Sequence, residues 1–420
     1  MVLRTLKDKI RQKIISEYSN LSSKGSIEEN EFREVVDQII EDIIRREHPS
    51  LSDADKKDII NELINEFLGF GPIENLLKDP AITEIMINGP NHIYVEREGK
   101  KELTNITFDN DKQLMEIIYK LVAPTRRRVD ESFPYTEIAL KDGSRVNIII
   151  PPLVLAGPTV TIRKFLKEIT TIEDLIRLGT LDKRMDDFLI ACIKAKINII
   201  FTGATGVGKT TALNVLSRYI SNGERIVTIE DTAELRLVQE HVVRLEARQP
   251  NVEGRGEVTI RDLFKNSLRM RPNRIILGEI RGAEALDMLQ AICSGHNGSL
   301  SIIHAGTPDD VINRIETMIL TSGVPISVEA IHRQIAAAIN LIVQQEQLID
   351  GSRKITHIAQ ISGLKDNKVS IEDIFVYELE GVDTEDRIRG GWKATGVIPI
   401  FYTLFERKGI NLQKRIFNKD

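Results

Sequence analysis

The stretch Gly203–Thr210 has the residue types and spacing that could hold a phosphate group. It reads GATGVGKT and fits G-x-x-x-x-G-K-[ST] at every fixed position. The apolar run INIIF precedes it and TTALNVLSRYI follows it, which is the strand–loop–helix order that the motif requires. Glycines let backbone N–H groups surround phosphate oxygens, and the following helix adds its positive dipole end. The residues predicted to surround the phosphates are Gly203, Ala204, Thr205, Gly206, Val207, Gly208, Lys209, Thr210 and Thr211.

Two side chains at the end of this loop have specific predicted roles. We expect the Lys209 ammonium to reach the β- and γ-phosphates, and the Thr210 hydroxyl to ligate magnesium. ATP and Mg²⁺ are therefore the predicted ligands.

Carboxylates follow two further apolar runs that we predict to be strands. RIVTIEDTAEL offers Glu230, Asp231 and Glu234, and RIILGEIRGAEA offers Glu279 and Glu284. A nucleotide hydrolase needs an acid for the magnesium shell and a group that orients or deprotonates water. Ligands bind at the carboxyl ends of strands in open parallel sheets, where these acids lie. The residue types alone leave both Glu230 and Glu279 as candidates for the base.

Two histidines lie on either side of a fourth apolar run, in SGHNGSLSIIHAGTP. His296 and His304 are eight residues apart and do not match the H-E-x-x-H spacing of a helical zinc site. His304 ends the run, at the place where a side chain could sense a γ-phosphate.

Composition narrows the class of protein. The net charge of −5 and the 5% aromatic content argue against a nucleic-acid binder, which needs basic and stacking surfaces. Cys192 and Cys293 form no C-x-x-C pair, which argues against a structural zinc or a disulfide framework. No apolar run approaches the roughly 18 residues that span a bilayer, so we expect a cytoplasmic protein.

The pattern of apolar residues predicts an α/β protein with a smaller α+β domain before the phosphate loop. Alternating strands and helices downstream indicate a mostly parallel sheet. The predicted segments are N-terminal helices over 1–70, the α+β domain over 71–165, a linker over 166–180, the α/β domain over 181–365 and an appendage over 366–420.

Four stretches together resemble the ATPase superfamily of type II and type IV secretion systems and type IV pili. GATGVGKTT, TIEDTAEL, RMRPNRIILGEIRGAEALDML and SGHNGSLSIIHAGTP match, in order, its Walker A motif, its Asp box, its Walker B motif with Gly-Glu, and its His box. Further stretches between residues 50 and 400, such as NVEGRGEVTIRDLFKNSLRMRP, look like the CpaF-type ATPases of Tad/Flp pilus assembly.

The resemblance implies a role for each matched residue of the boxes. Glu230 would be the general base for the attacking water. Glu279 would act on magnesium through its water shell, which is reasonable because magnesium dehydrates reluctantly. His304 and His296 would be the two His-box histidines.

The resemblance also implies an architecture and partners. The larger domain would be a RecA-like P-loop motor, preceded by a PAS-like domain whose Arg145 and Arg163 reach the nucleotide phosphates. ATP would lie between the two domains of each subunit in a homohexamer. Hydrolysis would move a polytopic inner-membrane platform protein, so the ring would be cytoplasmic, attached peripherally to the inner membrane, and without a nucleic-acid partner.

Two departures and three alternatives accompany this prediction. The two lone cysteines exclude the four-cysteine zinc insertion of many relatives, and Asn273 stands where the family usually has Asp. Besides a Tad pilus motor, the boxes fit the conjugation and effector branch of type IV secretion. The other classes are a RecA-like nucleic-acid translocase and a regulatory nucleotide switch with little turnover.

Overall fold

A computed structural model shows two compact units, Met1–Phe165 and Leu166–Asp420. The residues that the structure describes are 10, 12–14, 29–47, 65, 69–97, 99–125, 127–140, 142–164, 169, 171–248, 250, 255–383 and 388–419. Of the predicted N-terminal helices, one is described over Glu29–Glu47. Most of the rest of residues 1–70 lies outside the described residues.

The first unit is built on an antiparallel sheet of six strands in the order β3-β2-β1-β6-β5-β4. The strands are β1 Ile82–Asn88, β2 Ile93–Arg97, β3 Lys100–Leu103, β4 Tyr135–Ala139, β5 Arg145–Ile149 and β6 Thr159–Arg163. The helices are Glu29–Glu47, Glu74–Lys78 and Asp111–Val122, with a 3₁₀ turn over Gly71–Ile73.

One face of this sheet is apolar and the other is polar. Alternate residues such as Val146 on β5 and Ile162 on β6 are buried in one core with Leu114 and Ile118 of the helix Asp111–Val122. This alternation is the pattern of an antiparallel sheet that packs on one side only. It confirms the predicted α+β character of this part of the chain.

The second unit is built on a sheet of nine strands in the order β15-β14-β13-β12-β7-β11-β10-β8-β9. The strands are β7 Ile199–Thr202, β8 Ile226–Glu230, β9 Val242–Glu246, β10 Arg274–Leu277, β11 Leu300–Ile303, β12 Leu341–Gln347, β13 Arg353–Lys365, β14 Lys368–Val382 and β15 Ile388–Ala394. The helices are Ile172–Arg177, Lys183–Ala195, Lys209–Ser217, Ile260–Ser267, Glu284–Cys293, Pro308–Thr321, Val328–Ala338 and Tyr402–Arg407, with a 3₁₀ turn over Lys414–Phe417.

The strands from β9 to β12 in this order are parallel, and β12 to β15 are antiparallel. The four central strands β7, β11, β10 and β8 are buried along their whole length. Strands buried on both faces need continuous apolar runs, which is why their sequences read as unbroken Ile-rich stretches. Their carboxyl ends meet at one edge of the sheet, as the predicted α/β fold requires.

Two predicted boundaries differ from the structure. Part of the predicted linker 166–180 is the helix Ile172–Arg177, whose Thr171 forms a capping box and whose Leu175 lies in the core of the second unit. Part of the predicted appendage 366–420 is β14 and β15, which extend the main sheet. Both pieces bury apolar side chains in the second unit, so they belong to it. Within the described residues, no helix combines the length and apolar character that crossing a bilayer requires.

Candidate active site

The phosphate loop connects β7 to the helix Lys209–Ser217. Three of its glycines, Gly203, Gly206 and Gly208, have φ angles of 141°, 84° and 102°, in the left-handed region that favours glycine. Gly208 is the N-cap of the helix. The loop therefore has the backbone shape and the helix terminus that a phosphate site requires.

The Lys209 side chain is buried, and its ammonium lies against the loop. Its Nζ donates to the carbonyl oxygens of Gly203, at 2.9 Å, and Ala204, at 2.5 Å. The same Nζ is 3.2 Å from Nδ1 of His304. An ammonium has three donors, and these three acceptors can use them all.

His304 lies between Lys209 and Glu279. Its Nε2 is 3.3 Å from Oε1 of Glu279. A neutral imidazole with its proton on Nε2 can donate to Glu279 and accept from Lys209 through Nδ1. The sheet order explains this placement, because β11, which His304 follows, lies between β7 and β10. The structure thus brings Lys209, His304 and Glu279 into one chain of contacts.

Glu279 has a second donor in Arg281, whose Nη2 is 2.7 Å from Oε2 of Glu279. Burial alone would raise the pKa of Glu279, but the bonds from His304 and Arg281 outweigh it and lower that pKa to about 2. Arg281 also places Nη1 3.8 Å from Oδ2 of Asp231. Glu279 is therefore an anion at physiological pH and a weak proton acceptor.

Glu230, at the end of β8, has an environment that shifts its pKa in the opposite direction from that of Glu279. Its side chain is 3% exposed, and Oε2 accepts from the backbone N–H groups of Glu234 and Leu235, both at 2.8 Å. Oε1 is buried and has no hydrogen-bond partner in the part of the chain that the structure describes. Burial raises the pKa of Glu230, although the two backbone bonds and Arg244 oppose that rise. A buried carboxylate with an unused oxygen and a raised pKa suits a general base.

The glycine of the Gly-Glu pair makes room for the Glu230 side chain. A Cβ on Gly278 would lie 2.8 Å from Cγ of Glu230, closer than side-chain carbons approach each other. Because Gly278, which follows β10, has no Cβ, the Glu230 side chain can extend from β8 over the end of β10.

Other candidate carboxylates and Asn273 have structural contacts. Glu284 is buried, and its Oε1 accepts from the N–H groups of Arg281, at 2.7 Å, and Gly282, at 2.8 Å. Oδ1 of Asn273 accepts from the N–H of Arg225 at 2.8 Å, at the start of β8. An Asp could accept the same bond, so the departure at position 273 loses no contact within this chain.

His296 lies at the other edge of the sheet. It precedes β11, and its Nδ1 is 3.2 Å from the carbonyl oxygen of Ala291. The four residues of β11 separate it from His304 by roughly 13 Å of extended chain. The structure does not bring His296 together with Lys209, His304 and Glu279.

Arg145 and Arg163 lie in the first unit and face each other directly across β5 and β6. Arg145 is 3.5 Å from Glu137 between Nη1 and Oε1, and Nε of Arg163 donates to Oε1 of Glu84 at 2.8 Å. Like charges directly opposite destabilise a sheet, and the two glutamate partners offset that repulsion here.

Three residues that contact the site were not predicted from the sequence. They are Arg281, Gln345, whose backbone oxygen would lie 2.0 Å from a Cβ on Gly203, and Arg353, whose Nε donates to the carbonyl oxygen of Gly206 at 3.1 Å. Arg281 follows Glu279 by two residues, and this short spacing could have predicted that the two side chains lie close together. The other two contacts depend on β12 lying beside β7, which no local pattern predicts.

Comparison with known proteins places the chain in a family. The family model described as "Type II/IV secretion system protein" matches residues 66–384, a range that includes the phosphate loop, both glutamates and His304. The chain belongs to this family. The predicted resemblance to the type II/IV secretion family is thereby confirmed, and the structure confirms an α/β unit preceded by a smaller α+β unit. The CpaF-type branch stays a prediction.

Several relatives of this secretion-system protein are similar over most of their length. A putative conjugal transfer protein of Mycobacterium tuberculosis is 31% identical over 315 residues, which are 74% of this chain and 89% of that protein. VirB11 of Agrobacterium fabrum is 33% identical over 302 residues, 65% of this chain and 87% of that one. The solved VirB11 ATPase of the Brucella suis type IV secretion system is 28% identical, with 68% and 94% covered and a TM-score of 0.37.

Proposed function

We propose that this secretion-system family member hydrolyses ATP with Mg²⁺ and uses the energy to drive a secretion or pilus-assembly machine. The observation that carries the proposal is the contrast between Glu230 and Glu279. One carboxylate has a raised pKa and an unused oxygen, and the other is held ionised by two donors. Pairs of acids whose environments separate their pKa values are typical of hydrolytic sites.

The residues present fit a nucleotide and its magnesium ion. The loop glycines and the helix N-terminus would hold the phosphates, and Thr210 and Glu279 would hold Mg²⁺ with its waters. Magnesium usually binds through one or two protein groups plus phosphates, so a larger ligand cluster is not needed. The described residues contain no group of three or more His, Cys, Asp or Glu that could hold a metal ion. When bound, Mg²⁺ would neutralise charge on the phosphate oxygens.

Each side chain then has a step that its geometry supports. Oε1 of Glu230 accepts the proton of the attacking water. The Lys209 ammonium moves from the loop carbonyls to the phosphate oxygens. His304, which already touches Lys209, senses whether the terminal phosphate is present. We also propose that Arg145 and Arg163 bind nucleotide phosphates, which explains why two arginines occupy opposite positions on the sheet.

The branch we propose is Tad/Flp pilus assembly, on the strength of the CpaF-like stretches outside the four boxes. The motor would be a homohexamer on the cytoplasmic face of the inner membrane, acting on a polytopic platform protein. Type IV secretion is the second candidate, because the similar relatives include a putative conjugal transfer protein and VirB11.

Turnover of the purified full-length protein tests the activity. We expect Mg²⁺-dependent ATP hydrolysis that DNA does not stimulate, and a severe loss in Glu230→Gln. Glu240→Gln, an exposed glutamate further along the same segment, is the matched control and should retain full activity. DNA-stimulated turnover would instead favour the translocase.

Deletion of the gene in its host tests the branch. Loss of surface pili with intact export of effectors and DNA supports the Tad motor, whereas the reverse pattern supports type IV secretion.

A further inference from the structure

The hairpin of β12 and β13 forms one wall of the phosphate loop, although none of the four boxes includes it. β12 pairs in parallel with β7 up to Gln344, which lies opposite Thr202, the last residue of β7. The next residue, Gln345, therefore lies beside Gly203, where the loop begins. The strand continues past the end of β7 and accompanies the loop.

Gln345 packs closely on two glycines of the loop. It is 4% exposed. A Cβ on Gly203 would lie 2.0 Å from its backbone oxygen, and a Cβ on Gly208 would lie 2.9 Å from its Nε2. Gly203 is thus required by contact with the β12 backbone as well as by its φ angle, whereas the atom beside Gly208 is the end of a flexible side chain. The loop therefore lies directly against the backbone of the hairpin.

Arg353, the first residue of β13, contacts the loop by a directed bond. Its Nε donates to the carbonyl oxygen of Gly206 at 3.1 Å. In a trans peptide the C=O and the N–H point in opposite directions. The bond that holds the Gly206 oxygen towards Arg353 therefore turns the N–H of Val207 away from it. Phosphate loops bind their ligand through backbone N–H groups turned this way.

The backbone around Arg353 is fixed from several sides. Nζ of Lys354, the next residue, donates to the carbonyl oxygen of Gly179 at 2.6 Å. Asp350, in the turn before β13, accepts from the N–H of Ile388 at 3.0 Å. Nε1 of Trp392 donates to the carbonyl oxygen of Ile355 at 2.8 Å. An anchored strand can hold the guanidinium at one place relative to the loop.

We propose that Arg353 is a positioning residue for nucleotide binding. By holding the Gly206 carbonyl it presents the Val207 N–H to a phosphate, without itself contacting the nucleotide. This role rests on the proposed nucleotide site. It also gives the antiparallel β13–β15 extension a function, since these strands hold the residue that shapes the loop.

Two variants of Arg353 test the proposal in the full-length protein. Arg353→Met keeps the aliphatic stem and removes the donors, and Arg353→Lys restores one donor. We expect Arg353→Met to raise the Kd for a fluorescent ADP analogue and the KM for ATP by about tenfold, the usual effect of one charge-assisted bond. Its kcat should change less than about twofold, because the proposed role of Arg353 is to hold the loop and not to act on a reacting atom. Arg353→Lys should recover part of the loss.

Lys365→Met is the matched control, because Lys365 is an exposed residue at the far end of the same strand. We expect its KM and Kd to stay within about twofold of the wild-type values, since the length of β13 separates it from the loop. Unchanged KM and Kd in Arg353→Met would overturn the proposal. So would a loss of Tm and kcat in Arg353→Met with KM unaltered, since that pattern marks a structural role. If Arg353→Met does not fold, unchanged KM and Kd in Arg353→Lys overturn the proposal and a partial rise supports it. A wild-type protein that binds no ADP would contradict the proposed nucleotide site instead.

Discussion

The ends of β8 and β10 each present a glutamate at the same edge of the sheet, yet the two side chains have opposite surroundings. Glu230 is buried, accepts two backbone bonds on one oxygen and leaves the other unused. Glu279 is more exposed, and each of its oxygens has a side-chain donor. The difference shows how one edge of the sheet can hold two carboxylates whose pKa values are shifted in opposite directions. The groups around each carboxylate set its pKa, and our proposed division of roles follows from that contrast.

Removing the base should have the largest effect. We expect Glu230→Gln to lower kcat by roughly 10² to 10⁴-fold, because a glutamine cannot accept the proton of water. Affinity for ADP should stay near the wild-type value, since among the described residues the hydrogen bonds to Glu230 come from Glu234 and Leu235 and not from the loop. Steady-state hydrolysis together with equilibrium ADP binding measures both quantities. Wild-type kcat in Glu230→Gln would remove Glu230 from the mechanism.

Replacing Glu279 should change the Mg²⁺ requirement more than the other kinetic constants. Glu279→Gln is expected to raise the Mg²⁺ concentration for half-maximal turnover by about 10 to 100-fold, as for loss of an outer-shell ligand partner. Glu230→Gln serves as the comparison here, and its residual activity should keep the wild-type Mg²⁺ requirement. An unaltered Mg²⁺ requirement in Glu279→Gln would break the distinction between the two acids.

The glycine between the strands gives an intermediate test. A Cβ on Gly278 would lie 2.8 Å from Cγ of Glu230, so Gly278→Ala should displace the base without changing its chemistry. We expect kcat to fall about tenfold, in line with a small misplacement of a catalytic group, with ADP binding retained. Gly391→Ala is the control, because a Cβ there meets nothing within 4 Å. Equal activity of the two alanine variants would show that Gly278 does not position Glu230.

The donor Arg281 should give the smallest effect, and one that depends on pH. The pKa of Glu279 is lowered, so its ionisation stabilises the fold above the ordinary glutamate pKa of 4.5, and this contribution is lost as the pH falls towards 2. Arg281→Met should therefore lower the free energy of unfolding at pH 7, and the difference from wild type should shrink below pH 4.5. Denaturant unfolding at several pH values measures it, with Arg177→Met as control, because Arg177 is exposed and pairs with Asp174 at i,i+3. A pH-independent difference would mean that Arg281 acts through packing.

Much of the site could be predicted from local sequence, because each box is a strand end with its own loop. GATGVGKT, TIEDTAEL and ILGEIRG identify the phosphate loop and both glutamates without any knowledge of sheet order. Residue chemistry alone could not predict which of the two glutamates is better suited to accept a proton. That suitability depends on the burial of Glu230 inside the sheet and on the two donors to Glu279, of which Arg281 is close in sequence but His304 follows another strand.

The His296 placement and the place of β13 to β15 in the sheet differ in how far the sequence could predict them. The apolar run GSLSII already separates His296 from His304 by a strand, so the sequence itself indicates that the two side chains lie at opposite ends of β11. The sequence could not predict that β13 to β15 extend the main sheet, because the residues of an antiparallel strand do not indicate which strand it pairs with. Arg353 was missed for the same reason.

The central claim is that the environments of Glu230 and Glu279 separate their pKa values, and a carbon-13 NMR titration of the carboxyl groups of glutamate-labelled protein measures this directly. The variants Glu230→Gln and Glu279→Gln identify the two signals by their disappearance. The account predicts that Glu230 titrates above the ordinary value of 4.5 and that Glu279 titrates near 2. Equal pKa values, or a Glu279 pKa above that of Glu230, would contradict it.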